Sequence, residues 1–255
     1  MTGQAGQPSP AQISVPRQVA RSAEATGFLY PFLDAEERDP DSLLADLAAS
    51  ARAKSRESAE LRRATLDACA GQLVAAAAEI ARRLAVRGRI FTFGNGGSST
   101  DAATLAGLFA SPPQESVARS QQQSQPGPQP ARALPAWSLT ADQAVLTALG
   151  NDVGFDLVFA RQLIARARPA DIAIAMSTSG SSKDLAAAFR EAKSRSLYTV
   201  GFAGYDGGEF AGNRDVDMCF VVHSQSVHRI QEAQALLGYH LWSAVHEHLA
   251  KQEDH

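Results

Sequence analysis

Cysteine is nearly missing from this chain. Among 255 residues there are two, Cys69 and Cys219, which argues against a disulfide framework and against a structural zinc site. Aromatic side chains are few as well, 7% of the total, as suits an Ala/Leu/Val core between helices and a sheet. No apolar run approaches the roughly 20 residues of a membrane span, so no membrane partner is expected. The opening MTGQAGQPSPAQ has neither the charged start nor the apolar stretch of a secretory signal. An excess of positive charge is missing too: 24 Lys and Arg against 27 Asp and Glu leave a net charge of -3. That balance speaks against direct binding to nucleic acid. What remains, at 45% hydrophobic and 20% charged residues, is a cytoplasmic α/β protein able to fill a core.

The pattern along the chain is uneven. Residues 1–27 are rich in Gln, Ser, Pro, Gly and Ala without a sustained period, and read as a disordered tail. Gly27–Leu33 is a short apolar and aromatic run, either a strap on the domain's own surface or a contact with another subunit. Asp39-Pro40-Asp41-Ser42 has the residues of a helix start. A helix is expected to about 53 and a second, longer one over 55–87, ended by Gly88. In the second, Leu66, Cys69, Leu73, Ala77, Ile80 and Leu84 recur at steps of three and four, which draws a narrow apolar seam. Residues 112–130 hold eleven Pro or Gln and read as a mobile insertion. Elsewhere strands (89–93, 136–139, 171–176, 198–202, 216–222) alternate with helices (from 101, then 141–149, 155–166, 183–194 and 227–250). Such alternation predicts a doubly wound parallel sheet covered on both faces, in a single domain over 28–255.

Two loops carry chemistry. Gly94-Asn95-Gly96-Gly97-Ser98-Ser99 follows the first strand, and Ser177-Thr178-Ser179-Gly180-Ser181-Ser182 follows the third. In an open parallel sheet, ligands bind outside the carboxyl ends of the strands. Glycines let backbone N–H groups approach an anion, hydroxyls add uncharged donors, and each loop runs into a helix N-terminus. The combination suits a phosphate dianion held by neutral groups. No Lys follows the glycines as in GxxxxGK[ST], and the first loop lacks GxGxxG spacing, so a nucleotide is not the expected anion of these loops.

Strand–GNGGSS–helix, GNDVGFD at 150–156, STSGSS at 177–182, GYDGGEFAG at 204–212 and RIQE at 229–232 occur in that order. In this the sequence resembles the sugar isomerase (SIS) domain family, in its phosphoheptose isomerase branch, over about residues 41–250. The resemblance implies a three-layer, flavodoxin-like fold with five parallel strands and N-terminal helices. It also implies a homotetramer and sedoheptulose 7-phosphate as substrate. By the same resemblance Ser177, Thr178, Ser179 and Ser182 hold the phosphate, and Asn95, Gly96, Gly97 and Ser98 line the sugar. Asp101, Asn151 and Asp152 stand at polar site positions, and Gln231 reaches in from the last helix.

Catalysis carries over less well. Isomerisation moves a proton between adjacent carbons and needs an acid and a base beside them. Active relatives supply His and Glu from the helix after the glycine loop, then Gln and His from the last helix. Several members bind zinc with these four groups. Here the corresponding residues are Thr104, Leu108, Gln231 and Tyr239, so no zinc or other cofactor is expected. Leu108 moves no proton, Thr104 is a poor base, and Tyr239 is an acid at best. Asp101, Asp152, Glu232 and His240 are the substitute acid–base candidates. His246, His248 and His255 read as solvent-side residues.

Three readings follow: a phosphosugar-binding protein without the standard chemistry, an isomerase with a rearranged acid–base set, or a tetrameric scaffold for a protein partner. The last has a precedent in bacterial regulators of replication initiation. They resemble phosphoheptose isomerases but lack the acid–base set, and GYDGGEFAG is similar to their form of that loop.

Overall fold

Short strands build the centre of the molecule, the three inner ones buried along their whole length and the two edge strands partly exposed. The computed structural model describes residues 40–113 and 131–253. The strands are β1 (Ile90–Gly94), β2 (Ala136–Ser138), β3 (Ile172–Met176), β4 (Tyr198–Gly204) and β5 (Met218–Val222). All four pairings are parallel and the order is β2-β1-β3-β4-β5. The helices are α1 (Pro40–Ala85), α2 (Gly97–Ala110), α3 (Gln143–Asp152), α4 (Val158–Arg166), α5 (Lys183–Ser194) and α6 (Val227–Glu253), with short 3-10 turns at Phe155–Leu157 and Phe210–Gly212. This is the doubly wound α/β fold that the alternation predicts.

The period of two divides the core between the faces. Ile90, Ile172, Ile174, Met176, Val200 and Phe202 join residues of α1, α2 and α6 in one cluster. Phe91, Phe93, Ala173, Ala175 and Ala203 join residues of α4 and α5 in the other. The chain winds outward from β1 to β2, then returns past β1 to β3 and continues the other way. Right-handed crossovers therefore put α2 on one face and α4 and α5 on the opposite one. The reversal lies between β1 and β3, which carry the two hydroxyl-rich loops.

The chain divides into two units at Ser55. Of the first, the described part is the opening of α1, mostly exposed. The second, from Arg56 on, holds the sheet. Several boundaries differ from the sequence expectation. The two helices expected on either side of residue 54 are one 46-residue helix, because no Pro or Gly falls between 41 and 70 to break it. Gly88 does not take the left-handed position at its end. Arg87 does, with φ 67°, and Gly88 instead passes so close to the Ala170 carbonyl that a Cβ would lie 2.3 Å from it. Helix α2 starts at Gly97, four residues before Asp101, so it begins inside the glycine loop. The tail, the Gly27–Leu33 run, residues 114–130 and His255 lie outside the described residues.

Among the described residues, α1 is also long and apolar enough to cross a membrane, with a mean hydropathy of 1.2 in its most apolar stretch. Its apolar stripe is engaged elsewhere: Cys69, Leu73, Ala77, Ile80 and Leu84 are all buried in the first core cluster. Leu66 is partly buried against it.

Candidate functional site

The strand order leaves a crevice where β1 and β3 end side by side, with Gly94 paired to Met176. Their loops leave in opposite directions, one into α2 and one into α5. Gly96, with φ 54°, turns the first loop into α2, and no side chain caps that helix start. Its N–H groups and positive dipole end thus face the loop. In the second loop Ser177 is buried. Its hydroxyl accepts the Gly180 N–H at 3.0 Å and lies 3.4 Å from the Ser179 hydroxyl. Ser182 is the N-cap residue of α5, yet its side chain makes no cap bond. Thr178 is half-buried and Ser179 exposed. These are short polar groups around an uncharged loop, able to turn toward an anion.

A third loop braces the second. The Ser181 hydroxyl accepts the Glu209 N–H at 3.2 Å, and the Phe210 N–H donates to the Gly180 carbonyl at 3.0 Å. Across the crevice, Asn95 Nδ2 donates to Asp184 Oδ2 at 2.8 Å. Asp184 is 4% exposed in the first turn of α5. Sequence reasoning missed it and described the loops as neutral. The only signal was an acid in a helix's first turn, which also serves the helix dipole. The Asn95 amide is thus committed to joining the loops.

Helix α6 closes the crevice. Gln231 Nε2 lies 3.5 Å from Asp101 Oδ2, and a Cβ at Gly97 would come within 2.3 Å of the same nitrogen. Gly97 is what allows the amide to reach the loop. A cavity of about 420 Å3 opens here, lined by residues that include Gly97, Thr100, Asp101, His228 and Gln231. Burial pushes the Asp101 carboxyl above its ordinary range, partly opposed by the Gln231 bond. One turn beyond Gln231, the fully buried Gln234 donates from Nε2 to the Ser177 carbonyl at 2.8 Å. Sequence reasoning missed both Gln234 and His228. Their signal was the step of three on either side of Gln231, which keeps them on one helix face.

Asn151 and Asp152 end α3, are exposed, and bond each other at 2.9 Å. Glu232 borders the cavity but is paired with Arg229 at 2.9 Å and accepts the Ser58 hydroxyl. The Ser58 bond, and after it Arg229, hold its carboxyl below the usual range. His240 is half-buried, edge-on to the Tyr239 ring at 5.9 Å. His246 is not a solvent-side residue. Its ring nitrogens meet the Trp242 carbonyl at 2.9 Å and the Arg132 carbonyl at 3.0 Å, and its ring stacks near Phe109.

The resemblance puts the zinc donors at Thr104, Leu108, Gln231 and Tyr239, a set that does not fit the metal. The Thr104 hydroxyl donates back to the Thr100 carbonyl at 2.9 Å. Leu108 packs against the first core cluster, and Tyr239 stands 47% exposed beside Trp242.

Fold and loops together define a doubly wound α/β protein with a hydroxyl-rich crevice at its switch point. No family model matches the chain. The phosphoheptose isomerase of Aquifex aeolicus (strain VF5) is 38% identical over 192 residues, 75% of this chain and 92% of that protein. A solved phosphoheptose isomerase from Neisseria gonorrhoeae superposes with TM-score 0.65 at 29% identity, over 78% of this chain and 98% of its own. One from Francisella tularensis gives 0.66 at 26% identity, with the same coverage. The chain belongs to the phosphoheptose isomerase family.

Proposed function

We propose that this chain is a phosphosugar-binding member of its family that has given up the standard isomerase chemistry. It takes a sugar phosphate of the sedoheptulose 7-phosphate type, with the phosphate on Ser177, Thr178, Ser179 and Ser182. The sugar lies toward Gly96–Ser98, Asp101 and Gln231. One observation carries the reading: an intact hydroxyl-rich crevice stands beside a helix face on which Thr104 bonds its own backbone and Leu108 joins the core. The dianion is held by hydroxyls, N–H groups and two helix starts rather than by Lys or Arg. The resemblance adds assembly as a homotetramer.

A second reading has its own support. Asp101 is a carboxyl with a raised pKa, in one cavity with the imidazole of His228. Such a pair could replace the missing acid and base. Two experiments decide between them. Calorimetry with sedoheptulose 7-phosphate should show millimolar or tighter binding, lost when Ser177 and Ser179 become Ala. NMR should show no exchange of solvent protons into the sugar carbons. Absence of binding across sugar phosphates sinks the first reading. Proton exchange that disappears in D101N and H228N would establish the second.

A further inference from the structure

The opposite end of the sheet carries another cavity, of about 270 Å3, lined by Arg89, Phe91, Trp137, Ala165, Arg166 and Arg168. These residues come from the start of β1, the edge strand β2, the end of α4 and the turn into β3. From Arg89 to Asn95 the chain runs six residues at about 3.3 Å each, so this cavity is roughly 20 Å from the glycine loop.

Asp171 builds its base. It is 1% exposed, and both carboxylate oxygens are filled. Oδ1 accepts from the Arg89 backbone N–H at 2.9 Å and from Nε at 3.2 Å. Oδ2 accepts from Arg89 Nη2 at 2.7 Å and from the Arg168 N–H at 2.8 Å. Arg89 Nη2 also donates to the Arg166 carbonyl at 2.6 Å. One acid and one arginine neutralise each other and fix the backbone on both sides of the turn. Two guanidinium groups are left over. Arg166 and Arg168 are exposed, and neither side chain has a hydrogen bond or ion pair among the described residues.

Beside them stands Trp137, 47% exposed. Its ring is stacked on the buried Phe91 at 6.0 Å and 29°, and the Arg89 guanidinium lies 5.3 Å from the Phe91 ring. A rigidly backed indole with uncovered area therefore borders two unpaired cations, on a chain whose net charge is -3.

We propose that this cavity binds a purine nucleotide, with the base on the Trp137 indole and the phosphates on Arg166 and Arg168. Guanidinium forks match phosphate oxygens in paired hydrogen bonds, and an indole face accepts a nucleobase by stacking. The volume, near the lower bound of about 300 Å3 for small-ligand pockets, suits one base and its ribose with phosphates at the rim. A nucleic-acid strand would meet the repulsion of a net acidic chain. An acidic peptide would satisfy the arginines and leave the indole bare. The proposal does not depend on the phosphosugar reading.

Tryptophan fluorescence of the full chain tests it. There are two tryptophans, and Trp242 is only 8% exposed, so quenching by a ligand reports Trp137. ADP should quench saturably, with half-saturation at or below about 1 mM, whereas inorganic phosphate or adenosine alone should not at that concentration. R166A/R168A should raise the half-saturation by at least about tenfold, with an unchanged circular dichroism spectrum and unchanged phosphosugar binding. W137F should weaken ADP binding in calorimetry. Quenching that never saturates, or equal ADP affinity in R166A/R168A, overturns the proposal. So does tighter binding of an adenine oligonucleotide or an acidic aromatic peptide than of ADP.

Discussion

At the scale of single residues, the proposed site lets Gly97 and Asp101 separate ligand binding from folding. A methyl group at 97 meets the far end of the Gln231 side chain, not backbone. G97A should therefore displace the amide and leave the helix in place. Calorimetry should show phosphosugar affinity falling about tenfold, roughly 1.4 kcal/mol, with an almost unchanged melting temperature. Asp101 makes the opposite trade. Its folded pKa lies above the ordinary 3.8 because burial penalises the charge. The fold thus favours the protonated acid. The stability from that preference is fully present below pH 3.8 and lost as pH rises through the raised folded value. D101N, a neutral mimic, should melt higher than the parent at pH 7 and lose that advantage below pH 3.8, while binding phosphosugar more weakly. An equal or lower melting temperature for D101N at pH 7 would contradict this account. Such a trade is expected where a charge is kept for ligand rather than for stability.

At the scale of elements, the end of α1 shows how a helix is latched to a sheet. Glu79 bonds Arg82 and Arg83 at 2.6–2.7 Å. Arg83 also donates to the Ser196 carbonyl at 2.9 Å and lies over the Tyr198 ring. The Arg82 bond, against some burial and with help from Arg83, brings the Glu79 carboxyl down to about 2. A depressed carboxyl stabilises above its unfolded value of 4.5, and the contribution is lost as pH falls toward 2. E79Q should cost about 1 kcal/mol at pH 7, since the pair is partly solvent-screened. It should also flatten the loss of stability between pH 4.5 and 2 in urea titrations. Elements with strong local punctuation were legible in the sequence: α5 runs from Lys183 to Ser194 as its apolar period and flanking serines imply. The α1 boundary was not read correctly: no Pro or Gly falls between 41 and 70 to break the helix, and the backbone runs on through Lys54 and Ser55. Nor was the start of α2, where glycines disfavour helix by propensity but the turn at Gly96 imposes it.

At the scale of the whole molecule, the sheet is held by aromatic side chains on one face. Phe93 is fully buried, with ring centroids 5.3 Å from Phe159 and 5.9 Å from Phe189. It therefore joins β1 to both α4 and α5. F93A should lower unfolding free energy by about 3–5 kcal/mol in urea denaturation. A change below 1 kcal/mol would mean that the core collapses around the gap. The same alternation places Thr92 on the other face, its hydroxyl donating to the Ala102 carbonyl at 2.6 Å, so a one-residue slip would exchange the two environments.

The sequence by itself determined the doubly wound class, the family and the two hydroxyl-rich loops, because strand period, glycine runs and motif order are local in the chain. Tertiary structure alone decided which side chains are spoken for. Asn95 meets Asp184 across 89 positions, Gln231 meets Asp101 across 130, and Ser58 reaches Glu232 across 174. It also left Asn151 and Asp152 exposed and bonded to each other at the end of α3, and set Arg166 and Arg168 around Trp137. These contacts depend on strand order and helix rotation, which fix distances that no spacing along the chain contains.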